Sequence, residues 1–197
     1  MNKANKITMT RIIMSIIIIL ILLFPFDQIN YEFPTYLIGG NVEISLKYII
    51  VGIIFVIASF TDFLDGYVAR KYNLVTDFGK MVDAISDKLL TNSVLIILAC
   101  EGKIHAAIAV IIVMRDIIVD SIKMIIGNKG AAVAAIKIAK VKTASLMTGL
   151  VLTLFSNLPF ELIPISVSKF LLVLAAILSV ISGVKYYIMA KPYLQDR

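Results

Sequence analysis

The chain has 197 residues, of which 60% are hydrophobic and only 16% are charged, and its formal net charge is +6. A water-soluble domain of this length has too little interior to bury so much apolar surface, so the composition indicates an integral membrane protein. The positive charge fits anionic lipid head groups, and no polar basic segment argues for nucleic acid as a partner. The single cysteine, Cys100, excludes an internal disulfide and is expected to be a small buried residue.

Six apolar stretches are long enough to cross a membrane, and they predict an all-α integral membrane protein with a single domain over residues 1–197. The predicted transmembrane helices cover 7–26, 46–72, 77–100, 104–126, 131–156 and 169–189. The segments 27–45 and 157–168 contain proline and are expected to be loops. The isoleucine-rich first stretch has no small-residue cleavage site after it, so a retained helix is expected.

Lysine and arginine are concentrated in alternate connecting segments. Residues 1–11, the 70–80 turn, the 123–142 region and the C-terminal tail are basic, whereas 27–45 and 157–168 contain neither residue. By the positive-inside rule, both termini are expected to be cytoplasmic. The basic 70–80 turn would place its neighbouring helix ends on the same side. An active-site cavity there is expected to open to the cytoplasm.

Two pairs of aspartates flank the short turn between the second and third predicted helices. Asp62 and Asp65 are three residues apart, and Asp83 and Asp87 are four apart, so each pair projects from one helix face. A short turn makes the two helices a hairpin, which allows the pairs to converge. Carboxylates at membrane depth are costly without a partner, and a hard divalent cation, or two, is the simplest common partner.

The hairpin sequence is specific enough to resemble one known family. Its pattern has eight positions at fixed spacing: Asp62, Asp65, Gly66, Ala69, Arg70, Gly79, Asp83 and Asp87. This pattern resembles, position for position, the signature of the CDP-alcohol phosphatidyltransferases. The six predicted helices agree with that family's architecture, so the resemblance covers essentially the whole chain. Members of the family transfer a phosphatidyl group from a CDP-linked lipid to an alcohol and release CMP.

The resemblance implies a role for each matching residue. The four aspartates, Asp62, Asp65, Asp83 and Asp87, would hold Mg²⁺ or Mn²⁺, as two ions, and Asp87 would also be the general base. The residues that would contact the CDP-lipid are Asn5, Thr8, Gly66, Arg70, Thr76 and Gly79. Other readings stay open, because Arg70 could be a topogenic charge, Thr76 a helix N-cap and Gly79 a packing residue.

Other segments bear on the acceptor alcohol. Residues 5–11 and 137–143 resemble segments of the family's phosphatidylglycerophosphate synthases, and Arg115-Asp116 resembles their Arg-Glu pair. The departures are Ala4 in place of a proline, Asp116 of the glutamate, Ala139 of a glycine and Leu146 of a glutamine. A basic cluster from three helices could bind an acceptor phosphate, such as that of sn-glycerol 3-phosphate. Its members are Arg11, Arg115, Lys140 and Lys142. Two alternatives stay open: the lysines could follow the positive-inside rule alone, and Arg115 could only form an ion pair with Asp116 or Asp120.

The expected function is transfer of phosphatidyl from CDP-diacylglycerol to sn-glycerol 3-phosphate, in a bacterial plasma membrane and as a homodimer. Within the family, inositol phosphate, inositol or serine are the alternative acceptors. A small divalent-cation transporter is the alternative from another class. The clustering of the carboxylates near one side, and the presence of Gly66 and Arg70, count against it. The one histidine, His105, is expected to be an interfacial residue, so no Ser-His-Asp triad is predicted.

Overall fold

The computed structural model describes residues 3–39, 42–71, 77–131, 136–162 and 165–194, without the side chains at 3–7, 62–71, 77, 78, 80, 162 and 194. Six helices lie in these ranges, in the predicted order. They are α1 (Lys3–Leu23), α2 (Leu46–Lys71), α3 (Asp77–Cys100), α4 (Ala106–Asn128), α5 (Lys137–Leu154) and α6 (Val167–Leu194). The bounds of α3 match the prediction, whereas α5 begins six residues later than the predicted 131.

The six helices form two groups of three. In the first group α1 packs against α2 and α3, and in the second α6 packs against α4 and α5. Smaller contacts of α2 and α3 with α5, and of α3 with α4, join the groups. A continuous apolar core fills the seam, and it includes Phe55, Leu98, Ile112, Leu150 and Leu172. Any site built along the seam therefore draws residues from both groups.

A two-stranded β-hairpin lies in the segment predicted to be a loop. Strand β1 (Thr35–Ile38) pairs antiparallel with β2 (Val42–Ser45), after a short 3-10 helix at Phe26–Ile29. Val42 and Ile44 are buried, whereas Glu43 between them is exposed. This alternation is the two-residue period of a half-buried strand, but it is too short to stand out beside a pair of glycines. The all-α prediction was therefore incomplete at this segment.

One helix in the described residues, Val167–Tyr193, is long and apolar enough to cross a membrane by length and composition alone. Thr8–Leu23 and Leu46–Thr61 are shorter apolar helices. The helices α3, α4 and α5 carry more charge, and α4 alone contains Arg115, Asp116, Asp120 and Lys123. Large apolar side chains are nevertheless exposed on several helices, for example Leu20, Phe60, Ile117 and Phe170.

Cys100 and His105 lie on either side of the turn between α3 and α4. Cys100 is exposed, so the prediction of a buried cysteine was wrong. It is the last residue of α3, where the chain turns away and leaves the side chain uncovered. His105 caps the next helix, because its Nδ1 accepts a hydrogen bond from the Ala107 N–H at 3.2 Å. A histidine cap uses the same geometry as the usual oxygen caps, so residue type alone did not reveal it.

Candidate active site

A cavity of about 620 Å³ opens at the seam between the two helix groups. Among the described side chains, every helix except α1 contributes to its lining, from Ser59 on α2 to Tyr186 on α6. The described cations that line it are Lys88, Arg115, Lys123, Lys140 and Lys142. The described carboxylates that line it are Asp87, Asp116 and Asp120. The cluster of cations makes this part of the cavity suited to an anionic ligand.

Arg115 is held on one wall of the cavity by three hydrogen bonds. Its Nε donates to the Ser179 carbonyl at 3.2 Å, and its Nη2 donates to the Ser182 hydroxyl at 2.7 Å. Its Nη1 donates to Asp116 Oδ1 at 2.8 Å. The side chain is only 12% exposed. The ion pair with Asp116 that the sequence left open is therefore present, and Arg115 faces the cavity as well.

Asp116 connects the cations of two helices. Besides accepting from Arg115, its two carboxylate oxygens lie 3.0 and 3.2 Å from Lys142 Nζ. Lys142 is 7% exposed, so α5 carries a nearly buried lysine whose ammonium is matched by a carboxylate of α4. A second ion pair, between Lys88 and Asp120, joins α3 to α4. Of the four residues predicted to bind the acceptor phosphate, Arg115, Lys140 and Lys142 lie together in the cavity.

Arg11 occupies a different place from the other three predicted phosphate ligands. Its side chain is fully buried, and Nη1 donates to Asp83 Oδ1 at 3.0 Å and to the Ser86 hydroxyl at 3.1 Å. The Ser86 hydroxyl in turn donates to the Asp83 carbonyl at 2.9 Å. Arg11 is not among the residues that line the cavity. The structure thus joins Arg11 to one of the predicted metal ligands.

The predicted metal ligands are described only in part. Asp87 lines the cavity, and Asp83, one turn earlier on α3, has 52% of its side chain exposed. Asp62 and Asp65 lie on α2, but their side chains fall outside the described part of the chain. Among the described side chains, no group of three histidine, cysteine or acidic residues is placed to hold a metal ion. The donor chemistry fits a hard cation, because all four predicted ligands are carboxylates.

Most of the predicted CDP-lipid contacts also fall outside the described side chains. Asn5, Gly66 and Arg70 lie on described helices without described side chains, and Thr76 lies in a segment that is not described. Thr8 is buried on α1, and Gly79 is half-buried near the start of α3. These two lie on helices that pack against each other.

The described lining includes four polar or charged residues that the sequence did not single out. They are Ser59, Lys88, Lys123 and Tyr186. Lys88 follows Asp87 directly, and Lys123 lies two turns after Arg115, so a search for charges within apolar runs would have found both. Ser59 and Tyr186 carry no such signal, because a lone polar residue in a helix is ordinary.

The chain is similar to known proteins over most of its length. The family model described as CDP-alcohol phosphatidyltransferase matches residues 1–181. The chain belongs to that family. It is 37% identical over 94% of its length to a Bacillus subtilis protein named CDP-diacylglycerol–glycerol-3-phosphate 3-phosphatidyltransferase, of which 93% is covered. A Rickettsia felis protein of the same name is 35% identical, over 81% of this chain and 89% of the relative.

The residues that match the CDP-alcohol phosphatidyltransferase family model include nearly all of the site. Helices α2, α3, α4 and α5 all lie within the matched residues, so the cavity is built mainly from the family's common region. The match ends inside α6. Ser182 and Tyr186, which contact the cavity's cations, therefore lie just beyond it.

Proposed function

We propose that the protein transfers the phosphatidyl group of CDP-diacylglycerol to sn-glycerol 3-phosphate, giving phosphatidylglycerophosphate and CMP. One observation carries the proposal: a single cavity joins Asp87 of α3 to the cations Arg115, Lys140 and Lys142. The reaction needs a base beside a site for a phosphorylated alcohol, and this cavity offers both. The names of the relatives, which specify glycerol 3-phosphate, point to the same acceptor.

The charges of the cavity favour a phosphorylated acceptor over inositol or serine. Arginine offers a planar fork for phosphate oxygens, and lysine offers a compact charge. The three contacts of Arg115 use three of its five N–H donors, which leaves two for an anion. An acceptor without phosphate would offer no anion to the two remaining donors of Arg115 or to the exposed Lys140.

In the proposed reaction, Asp87 removes the proton from the acceptor hydroxyl. The resulting oxygen attacks the phosphorus that carries the diacylglycerol. The bond from this phosphorus to the bridging oxygen of the diphosphate breaks, and CMP leaves. Arg115, Lys140 and Lys142 hold the acceptor's own phosphate away from the attacked phosphorus, so that its hydroxyl points toward Asp87.

Asp62, Asp65, Asp83 and Asp87 are the proposed ligands of Mg²⁺ or Mn²⁺, as two ions. The four carboxylates supply only hard oxygen donors, and the half-exposed Asp83 side chain is accessible to an ion. When bound, such ions neutralise the charge of the diphosphate. Arg11 fixes the orientation of Asp83 by the bond to Oδ1 and leaves the other oxygen, Oδ2, on the exposed side chain.

We also propose that all six helices cross the plasma membrane, with both termini and the cavity on the cytoplasmic side. Exposed apolar side chains on α1, α2, α4 and α6 support this arrangement, because such surfaces are stable in lipid. The four charges of α4 line the cavity, together with Lys140 and Lys142 of α5 and Asp87 and Lys88 of α3. A homodimer is expected from the resemblance to the family and stays a prediction.

A divalent-cation transporter is disfavoured by the same cavity. A pathway for divalent cations needs carboxylates that can bind them, whereas the described carboxylates of Asp116 and Asp120 are paired with cations of the protein itself. Membership of a phosphatidyltransferase family also argues for group transfer.

Replacement of Arg115 tests the proposed acceptor site. We expect Arg115→Ala to raise the KM for sn-glycerol 3-phosphate by about tenfold to a hundredfold, because a charged hydrogen bond to phosphate is lost. The KM for CDP-diacylglycerol should stay near its original value. An unchanged KM for the acceptor would remove Arg115 from the site. Val180→Ala, at an exposed position on α6, is the control.

A further inference from the structure

Helix α6 supplies none of the described cations of the cavity, yet it contacts the one on which the acceptor site is centred. Two of the three hydrogen bonds of Arg115 go to α6, to the Ser179 carbonyl and the Ser182 hydroxyl. The Ser182 hydroxyl itself donates to the Ser179 carbonyl at 3.0 Å, so it is fixed as an acceptor for Arg115. Both serines are fully buried. Solvent is therefore a poor substitute for these contacts.

The next residues of α6 shape the space that Arg115 occupies. A Cβ placed on Gly183 would lie 3.2 Å from Arg115 Cγ, which is closer than ordinary van der Waals contact. Glycine at this position thus lets the stem of Arg115 lie flat against α6. The guanidinium carbon of Arg115 then lies 5.6 Å from the centre of the Tyr186 ring, and Lys123 Nζ lies 5.1 Å from the same ring.

Tyr186 also connects α6 to the start of α5. Its hydroxyl accepts a hydrogen bond from the Ile136 N–H at 3.4 Å, and Ile136 is the residue that caps α5. The lysines of the cavity, Lys140 and Lys142, lie in the first two turns of that helix. One face of α6 therefore fixes a cation of α4 directly and contacts the start of the helix that carries two more.

We propose that Ser179, Ser182, Gly183 and Tyr186 form a positioning face on α6 that sets the affinity for the acceptor phosphate. This inference rests on the proposed function, since it assumes that the phosphate binds at Arg115. The positioning face orients the guanidinium before the acceptor arrives. Two of its N–H donors then point to the ligand without a loss of side-chain freedom on binding. None of the four residues needs to touch the substrate for this effect.

The test compares substitutions on the positioning face with a matched glycine control. Ser182→Ala removes the acceptor for Arg115 Nη2, and Gly183→Ala displaces the arginine stem. Both should raise the KM for sn-glycerol 3-phosphate by about threefold to tenfold, with an unchanged KM for CDP-diacylglycerol. Ser182→Thr keeps the hydroxyl and should restore the affinity. Gly127→Ala is the control, because a Cβ there meets nothing within 4 Å.

If α6 had only a structural role, these substitutions would raise the KM of both substrates and lower the melting temperature together. Direct titration of the detergent-solubilised protein with sn-glycerol 3-phosphate, and separately with inorganic phosphate, gives a readout without turnover. Weaker binding of both ligands in Ser182→Ala and Gly183→Ala supports the inference, whether or not glycerol 3-phosphate is the physiological acceptor. Unchanged binding in both variants overturns it.

The same measurements separate this inference from the proposed function. If Arg115→Ala weakens binding of the acceptor but the two α6 variants do not, the proposed function stands and the proposed role of the positioning face is wrong. If the wild-type protein binds neither ligand, both are wrong. If it binds phosphate and the α6 variants weaken that binding, but no CMP is released with glycerol 3-phosphate, only the choice of acceptor is wrong.

Discussion

Asp83 and Asp87 are one helical turn apart on α3, but they have different surroundings. Asp83 accepts a hydrogen bond from the buried Arg11 and exposes half of its side chain. Asp87 lies on the wall of the cavity with Arg115 and the lysines. The same residue type at a spacing of four can therefore serve two roles. Asp83 is oriented by the side chain of Arg11, and Asp87 faces the space where an alcohol would bind.

The role of Asp87 as a base predicts a specific loss. Asp87→Asn keeps the size of the side chain but cannot accept a proton, so CMP release should fall by about 10²–10⁴-fold. Binding of CDP-diacylglycerol, measured by titration, should be retained in part, because three carboxylates remain. Turnover at the wild-type rate in this variant would refute the role.

The contact between Arg11 and Asp83 predicts a loss of stability. Arg11→Met should lower the free energy of unfolding by about 1–2 kcal/mol, because it removes a charged hydrogen bond while water still reaches Asp83. In detergent this corresponds to a melting temperature lower by roughly 2–8 °C.

Ser86→Ala is the control for Arg11→Met, because it removes only the hydroxyl and leaves the Arg11–Asp83 pair. Its effect on melting should be smaller. A higher KM for the acceptor in Arg11→Met, with no change in melting, would instead support the sequence-based prediction that Arg11 binds the acceptor phosphate.

At the scale of the elements, α5 and α6 form the most extensive helix–helix contact in the described part of the chain. Gly149 of α5 faces Leu172 of α6, and a Cβ on Gly149 would lie 3.0 Å from Leu172 Cγ and Cδ2 and 3.4 Å from its backbone nitrogen. Both residues are buried, and Leu172 belongs to the apolar core. The two backbones approach closely because one side contributes no side chain, as is common for helices in membranes.

This crossing predicts that Gly149→Ala is destabilising. The added methyl overpacks the core, at a cost of about 1–3 kcal/mol, so the melting temperature should fall by roughly 2–10 °C. Gly127→Ala, also in a helix but with open space around the new Cβ, should melt at or slightly above the wild-type temperature. Equal melting of the two variants would show that the helices can separate at Gly149 without cost.

The helices could be predicted from the sequence and the β-hairpin of β1 and β2 could not, for a physical reason. Long apolar runs leave helix as the only stable choice in lipid, so their number and order follow from composition. Strands of four residues depend on pairing with a partner that lies apart in sequence. The late start of α5 has a similar origin, because its cap at Ile136 is held by Tyr186 of another helix.

At the scale of the whole molecule, the cavity lies where the two groups of helices meet. The aspartate motif indicated α2 and α3, and a charge inside an apolar run indicated Arg115. The lysines of α5 were indicated by the resemblance of residues 137–143 to a segment of the family's synthases. The sequence could not show that Arg11 contacts Asp83, because that contact spans 72 residues. It also could not show the role of α6, whose serines, glycine and tyrosine are ordinary residues in any helix. Tertiary contacts alone distinguish them.

The central claim is that the protein uses this cavity to transfer the phosphatidyl group of CDP-diacylglycerol to glycerol 3-phosphate. CMP release by the purified protein tests this claim most directly. The protein in detergent would receive CDP-diacylglycerol and Mg²⁺, with sn-glycerol 3-phosphate, inositol phosphate, inositol and serine offered separately. Release of CMP only with glycerol 3-phosphate, and its loss on chelation of the metal, is the predicted result. Release with another acceptor alone would contradict the assignment of the basic cluster. Divalent-cation flux in liposomes, with no CMP release in the presence of any acceptor, would contradict the proposal that the protein is a phosphatidyltransferase.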